Sequence, residues 1–197
     1  MIISTGMADA QEIQEAIDAA REGGCKELAI LHCVSGYPAP AADYNLRTIP
    51  DMVNRFGLVT GLSDHTLDNT TAIASVVMGA SIIEKHFTLD RNGGGPDDSF
   101  SLEPKELVAL CQDSKTAWAA MGKVDYGRKS SEQNNAKFRR SLYFVNNLNA
   151  GDTITAKDVR SVRPGFGLAP KYYEEIIGRK ATSNIRANTA TNRSLYE

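Results

Sequence analysis

Residues 81–87 read SIIEKHF, and the fold turns on how this stretch is understood. Ile82 and Ile83 mark a buried β-strand, and three titratable side chains, Glu84, Lys85 and His86, then arrive together. A strand sends successive side chains to opposite faces, so Glu84 and His86 share one face and Lys85 takes the other. Parallel α/β sheets carry their sites at the C-terminal ends of their strands. The expectation is that His86 points into a cavity with Glu84 a layer beneath it as a supporting group. Lys85 turns outward to the covering helices in a structural role.

Working outward, short apolar runs alternate with amphipathic stretches. Strands are expected at Met1–Ser4, Glu27–Cys33 (ELAILHC), Gly57–Gly61 (GLVTG) and Ser81–Phe87. Helices are expected at Asp9–Glu22, with Ile13, Ala16, Ile17 and Ala20 at helical spacing, at Leu46–Arg55, at Asp68–Met78 and at Glu103–Met121, where Pro104 suits the first turn. Strands alternating with helices imply parallel βαβ units with right-handed crossovers. Four such units appear, whereas a closed (β/α)₈ barrel needs eight and typically about 250 residues. The first part therefore reads as an open four-stranded sheet or as the C-terminal half of a barrel. Near Gly122 the pattern stops. Residues 123–140 are polar and weakly periodic and read as a linker, and residues 141–197 carry short β-rich pieces between Gly and Pro turns, a small second domain.

Composition narrows the class. The 197 residues are 42% hydrophobic and 23% charged with a net charge of −2, an ordinary globular balance that points to neither nucleic acid nor an acidic membrane surface. Cys25, Cys33 and Cys111 are odd in number and scattered, which fits reduced thiols in a cytoplasmic protein rather than a disulfide framework. Acidic residues at 9, 12 and 15 disfavour a signal peptide, and no apolar run approaches the roughly 20 residues that span a bilayer.

The polar groups follow the strands. GLSDHT gives His65 and SIIEKHF gives His86, about one βαβ step apart, so both imidazoles fall at one end of the sheet. Two neutral imidazoles on one cavity suit a divalent Mn, Fe, Co or Zn ion, with Asp64 and Glu84 as ligands or orienters. Two unrelated histidines account for the pattern equally well. The STGM segment (residues 4–7) offers hydroxyls and a glycine before a helix, either an anion site or an ordinary N-cap. In CVSGYPAP (residues 33–40) the prolines hold the loop extended, and Tyr37 either meets a polyol or sits on a rigid turn. DRNGGGPDDSFSLEP (residues 90–104) is a glycine-rich, mobile loop whose Asp97 and Asp98 either accept sugar hydroxyls or are simply solvated. Arg160 and Arg163 flank a Pro-Gly turn, as anion contacts or as surface charge.

Taken together, these stretches resemble the sialic acid synthase family. The segments that carry the resemblance are IISTGMA, LHCVSGYPAPAADYNLRTIP, GLSDHT, ASIIEKHFTLDR, GGPDDSFSLEP and SVRPGFGLAP, in family order from Met1 to the end. VSGYPAP, NLRTIP and DDSFSLEP look most like the pseudaminic acid synthases of that family. The resemblance implies an α/β fold: the C-terminal half of a (β/α)₈ TIM barrel over residues 1–122, a linker, and a small antifreeze-like SAF domain over 141–197. It implies a nonulosonic acid synthase that condenses phosphoenolpyruvate with an acetamido sugar aldehyde, through a divalent metal, Mn²⁺ in the family. The family's metal ligands and catalytic histidines fall on His65 and His86. Its phosphoenolpyruvate contacts fall on Ser4, Ser35 and Ser63, and its sugar contacts on Tyr37 and Asp97. Its inserted partner arginine falls on Arg163, which implies a domain-swapped homodimer. The N-terminal half-barrel of the family, with its phosphoenolpyruvate-gripping lysine, has no counterpart in this sequence. RANTATNRSLYE (residues 186–197) also departs from the family pattern, with Asn188 where a glycine is usual.

Three readings divide these observations. The first is the C-terminal portion of a synthase. The second is a catalytically inactive truncated form that acts as a sugar-binding or dimerisation module. An unrelated two-histidine metal hydrolase accounts for the histidines and leaves the other segments unexplained. A half-barrel exposes two sheet edges, so the isolated chain is expected to associate and to turn over little substrate.

Overall fold

The computed structural model describes all 197 residues, which divide into two compact units, Met1–Val124 and Asp125–Glu197. In the first, β1 (Ile2–Ser4), β2 (Ala29–Cys33), β3 (Val59–Asp64) and β4 (Ile83–Lys85) form a sheet in the order β1-β2-β3-β4. All its pairings are parallel, in the registers Ile3↔Ile30, Leu31↔Gly61 and Ser63↔Glu84. Helices α1 (Ala10–Glu22), α2 (Thr48–Phe56), α3 (Thr70–Val77) and α4 (Pro104–Met121) follow the strands in turn. This is a parallel half-barrel sheet: the alternation of apolar runs implies its parallel βαβ units, and the family resemblance implies the half-barrel.

Local chemistry sets the boundaries. Asp9 caps α1: its Oδ1 accepts from the N–H groups of Gln11 and Glu12 at 2.8 and 2.9 Å, while Glu12 accepts from the Asp9 N–H. The N–H groups of Gln11 and Glu12 are thereby satisfied by a carboxylate of the chain, which leaves the STGM hydroxyls outside the cap. Gly57 ends α2 at φ +63°, a left-handed turn that leads into β3. Strand β3 runs three residues beyond the expected Gly61. It is paired on both sides, so Ser63 and Asp64 stay in the ladder despite their polarity.

The helix-side face of the sheet is apolar. Ile30 packs with Ile17, Leu28 and Met52, and Leu62 packs with Tyr44, Ile49, Ala72 and Leu110, with Ile83 against that cluster. On the opposite face β3 and β4 approach closely at Gly61, where a Cβ would lie 2.5 Å from the Ile82 carbonyl oxygen and 2.6 Å from Leu31 Cδ2. Two edges of the sheet remain open. Ile2 on β1 is 56% exposed, and beside β4 lies a groove of about 900 Å³ lined by Ile82, Leu102, Leu107, Trp118 and Met121.

The second unit closes on itself. Strand β5 (Ser141–Phe144) lies between β6 (Val159–Val162) and β7 (Thr189–Ala190), antiparallel to both. With the short helix α5 (Tyr173–Ile176) they enclose Leu142, Phe144, Ile154, Val159 and Ile176. NAGDTIT forms no strand and contributes one isolated bridge instead, Thr153 to Lys180. Asn188 takes φ +65°, a conformation that asparagine tolerates better than most residues, and its N–H donates to the Phe144 carbonyl at 2.7 Å. Within the segment read as a linker, Ser130–Phe138 forms a 3₁₀ helix. No helix is long and apolar enough to cross a membrane.

Candidate active site

The polar groups gather where β3 and β4 end. His65, 6% exposed, follows β3 and is gripped through its backbone. Its N–H donates to Tyr44 Oη at 2.7 Å, that hydroxyl donates to the Ser63 carbonyl at 3.3 Å, and the His65 carbonyl accepts from the Ala39 N–H at 3.0 Å. Tyr44 is fully buried, and burial pushes its hydroxyl well above the usual phenol range, so it stays protonated as a donor. The ring is fixed as well: His65 Nδ1 lies 2.8 Å from the Val34 carbonyl oxygen. A carbonyl only accepts, so Nδ1 of the neutral ring carries the proton and Nε2 keeps its lone pair.

His86 completes the pair, its ring centroid 5.3 Å from that of His65 with the planes at 64°. Asp97 Oδ2 stands 3.4 Å from His86 Nδ1. Tyr37 lies over His65 at 4.3 Å, and Phe100 meets His86 at 5.1 Å and Tyr37 at 5.8 Å. Four of the expected residues, Tyr37, His65, His86 and Asp97, thus come together. Beneath them Ser63 Oγ donates to Glu84 Oε1 at 2.8 Å, with Glu84 on the face of His86 as alternation requires. Ser4 is exposed at the end of β1. Ser35 is exposed after β2, and a Cβ added at Gly6 would lie 3.4 Å from its Oγ, so the STGM turn and the Ser35 loop adjoin. Arg163 belongs to the second unit, exposed at the turn after β6.

Three expectations change. Asp64 does not face the cavity: its carboxylate lies on the helix side, bonded to Lys85 Nζ at 3.0 Å and to the Thr66 N–H at 2.9 Å. The CVSGYPAP loop is not extended throughout, since the Gly36 N–H turns back to the Val34 carbonyl at 2.9 Å. The glycine-rich loop is anchored rather than free. Asp98 accepts from Gly95 N–H at 2.7 Å, Arg91 donates to the Ser101 carbonyl at 2.9 Å, and Arg91 pairs with Glu106. The Glu103 N–H and the Arg91 guanidinium hold the Glu106 carboxyl below the usual carboxylate range. Asp98 is therefore a loop tie, and Asp97 is the acceptor that reaches the site.

Two site residues had weak or no sequence signal. Phe100 is a lone apolar side chain in the polar run DDSFS, which is the mark of an inward-turned loop residue. Tyr44 acts through partners 19 and 21 positions away, and no local pattern discloses that.

The donor set fits a divalent ion in part. No group of three His, Cys, Asp or Glu side chains gathers into a cage. Two imidazoles, one with Nε2 left unprotonated by the Nδ1 contact to Val34, suit Mn²⁺ or a neighbouring transition metal if water or substrate oxygens complete the sphere.

The model of the NeuB family matches residues 1–126, and that of the SAF domain matches residues 139–190. The chain belongs to the NeuB family. Among its relatives, an N,N'-diacetyllegionaminic acid synthase of Campylobacter jejuni is 39% identical, covering 94% of this chain and 57% of the relative. A pseudaminic acid synthase of the same species is 36% identical, covering 98% and 56%. The crystal structure of the spore coat polysaccharide biosynthesis protein SpsE of Bacillus subtilis superposes with a TM-score of 0.59 at 31% identity, covering all of this chain and 61% of that one. This NeuB chain spans little more than half the length of the curated relatives it matches.

Proposed function

We propose that the chain forms the metal- and sugar-facing part of a nonulosonic acid synthase. The reaction condenses phosphoenolpyruvate with an acetamido sugar aldehyde, a 2,4-diacetamido-2,4,6-trideoxy hexose by resemblance. C3 of phosphoenolpyruvate forms a bond to the aldehyde carbon, water adds at C2, and inorganic phosphate leaves, giving pseudaminic or a related sialic acid. The observation that carries this reading is the imidazole pair of His65 and His86, 5.3 Å apart, framed by Tyr37 and Asp97.

His65 and His86 would hold the divalent ion, Mn²⁺ by resemblance. When bound, such an ion supplies Lewis-acid polarisation of the aldehyde. Tyr37, 56% exposed beside both rings, lies against the sugar, and Asp97 accepts from its hydroxyls while orienting His86. Ser63 sits with its hydroxyl tied to Glu84, and Ser4 and Ser35 stand at the ends of the two preceding strands. Ser4 and Ser35 offer hydroxyl protons to the phosphate and carboxylate of phosphoenolpyruvate, and Ser63 joins them by turning its proton away from Glu84. Arg163 adds a cation from the SAF domain of a second subunit in a domain-swapped dimer, and the protein works in the cytoplasm.

The open sheet edges at β1 and β4 favour one other reading, a binding or dimerisation module without turnover. Supplying the N-terminal half of a relative in trans separates the two. Metal-dependent phosphate release that His65→Ala and His86→Ala both abolish supports the synthase. Failure to restore phosphate release with a soluble mixture of both halves supports the module.

A further inference from the structure

Strand β3 ends at Asp64, so His65 stands just beyond the hydrogen-bonded ladder, and something else has to hold the turn that carries it. Lys85 of β4 lies directly across from Asp64 in the register. Its side chain is 3% exposed and that of Asp64 is 0%. The ammonium meets three oxygens: Asp64 Oδ2 at 3.0 Å, the Thr66 carbonyl at 2.8 Å and the Asp68 carbonyl at 2.9 Å. Every proton of the group is used, as a buried cation requires. Asp64 in turn accepts from the Thr66 N–H at 2.9 Å and from Thr66 Oγ1 at 3.2 Å. The residues immediately before and after His65 are therefore tied to one ammonium, and the backbone bearing that ammonium continues directly into His86.

We infer that Lys85 is a positioning residue for the imidazole pair. Its clasp on Asp64, Thr66 and Asp68 fixes the His65 turn so that Nδ1 stays on the Val34 carbonyl and the ring stays beside that of His86. With Tyr44, Ala39 and Val34 holding His65 from its other side, this side chain ties the two histidine-bearing strand ends together while it touches neither ring. A lysine that only filled the helix-side core would leave the tautomer and the ligand geometry unchanged when replaced. The inference rests on the metal reading above for its chemical purpose, but its geometric content does not depend on a metal.

Two readouts on the full 197-residue chain test it. Removing Lys85 alone would strand a buried carboxylate, so the main variant is Asp64→Asn/Lys85→Met, which removes the charge from both partners and keeps the volume. Lys85→Arg is the second variant; it keeps the charge, but a planar fork cannot reach all three oxygens. The first readout is the long-range ¹H–¹⁵N spectrum of the imidazoles without metal. Wild type is expected to hold His65 as the Nδ1–H tautomer, the double variant to show mixed tautomers, and Lys85→Arg to fall between. The second is Co²⁺ affinity and its visible d–d spectrum, with a loss of about tenfold to a hundredfold expected in the double variant, the usual effect of removing a group that orients a ligand. Folded variants with the wild-type tautomer and wild-type Co²⁺ spectrum would overturn the inference. If wild type itself binds no Co²⁺, the metal reading fails, while the tautomer readout still decides the role of Lys85.

Discussion

The two faces of β3 and β4 are built from alternate residues of the same short stretches, yet they differ in kind. On the helix side Leu62 and Ile83 are packed, and Asp64 and Lys85 satisfy one another and the adjacent turn. On the other side Gly61, Ser63 and Glu84 lead up to two imidazoles, an exposed tyrosine ring and a half-exposed aspartate. One face spends its polar groups on holding the backbone still, and the other leaves them free for a ligand. A strand can do both because its side-chain period is two, so rigidity and reactivity sit a single residue apart.

Adjacent substitutions sharpen this contrast. Leu62→Ala, on the packed face and fully buried, is expected to cost about 2–5 kcal/mol, read as a lower urea midpoint with an unchanged slope. Tyr44→Phe leaves the His65 N–H buried without its acceptor and is expected to cost about 1–3 kcal/mol while also disordering the His65 ring in NMR spectra. Ser63→Ala, one residue from Leu62 but on the open face, should cost no more than about 1 kcal/mol, since the exposed Glu84 can turn to water. A Ser63→Ala cost equal to that of Leu62→Ala would abolish the distinction between the faces.

The smallest effect concerns the loop that brings Asp97 and Phe100 to the open face. Glu106 is held below the ordinary carboxylate range in the folded state, so its pairing stabilises above the unfolded value of about 4.3 and is lost as pH falls through the lower folded value. Both partners are about a third exposed, so screening keeps the contribution small. Acid titrations of wild type and Glu106→Gln should therefore converge only once the pH has fallen below the lowered folded value of Glu106, and high salt should narrow the gap between them at neutral pH.

Much of the open face was legible in the sequence. Alternation in SIIEKHF assigned Glu84 and His86 to one side and Lys85 to the other, and the spacing of the strands brought His65 beside His86. The packed face was not legible at the level of roles. Asp64 reads as a metal ligand or an orienter until its strand is known to continue past Gly61, and alternation then sends its carboxylate to the face opposite Ser63. Tyr44 sits in an unremarkable 3₁₀ turn, Ala41–Tyr44, and its value comes from two distant backbone groups that only the folded chain brings near. Phe100 and Asp97 depend on how a glycine-rich loop is tied, and those ties run through Asp98, Arg91 and Glu106 rather than through any periodic pattern.

The groove beside β4 also gives this chain its own optical signal. Trp118, the sole tryptophan, lines it and is 69% exposed. Whatever fills that groove has to remove water from a single indole, so its emission should move to shorter wavelength on filling. No label is needed, and His65, which follows β3 and is not among the residues that line the groove, can be mutated without touching the reporter.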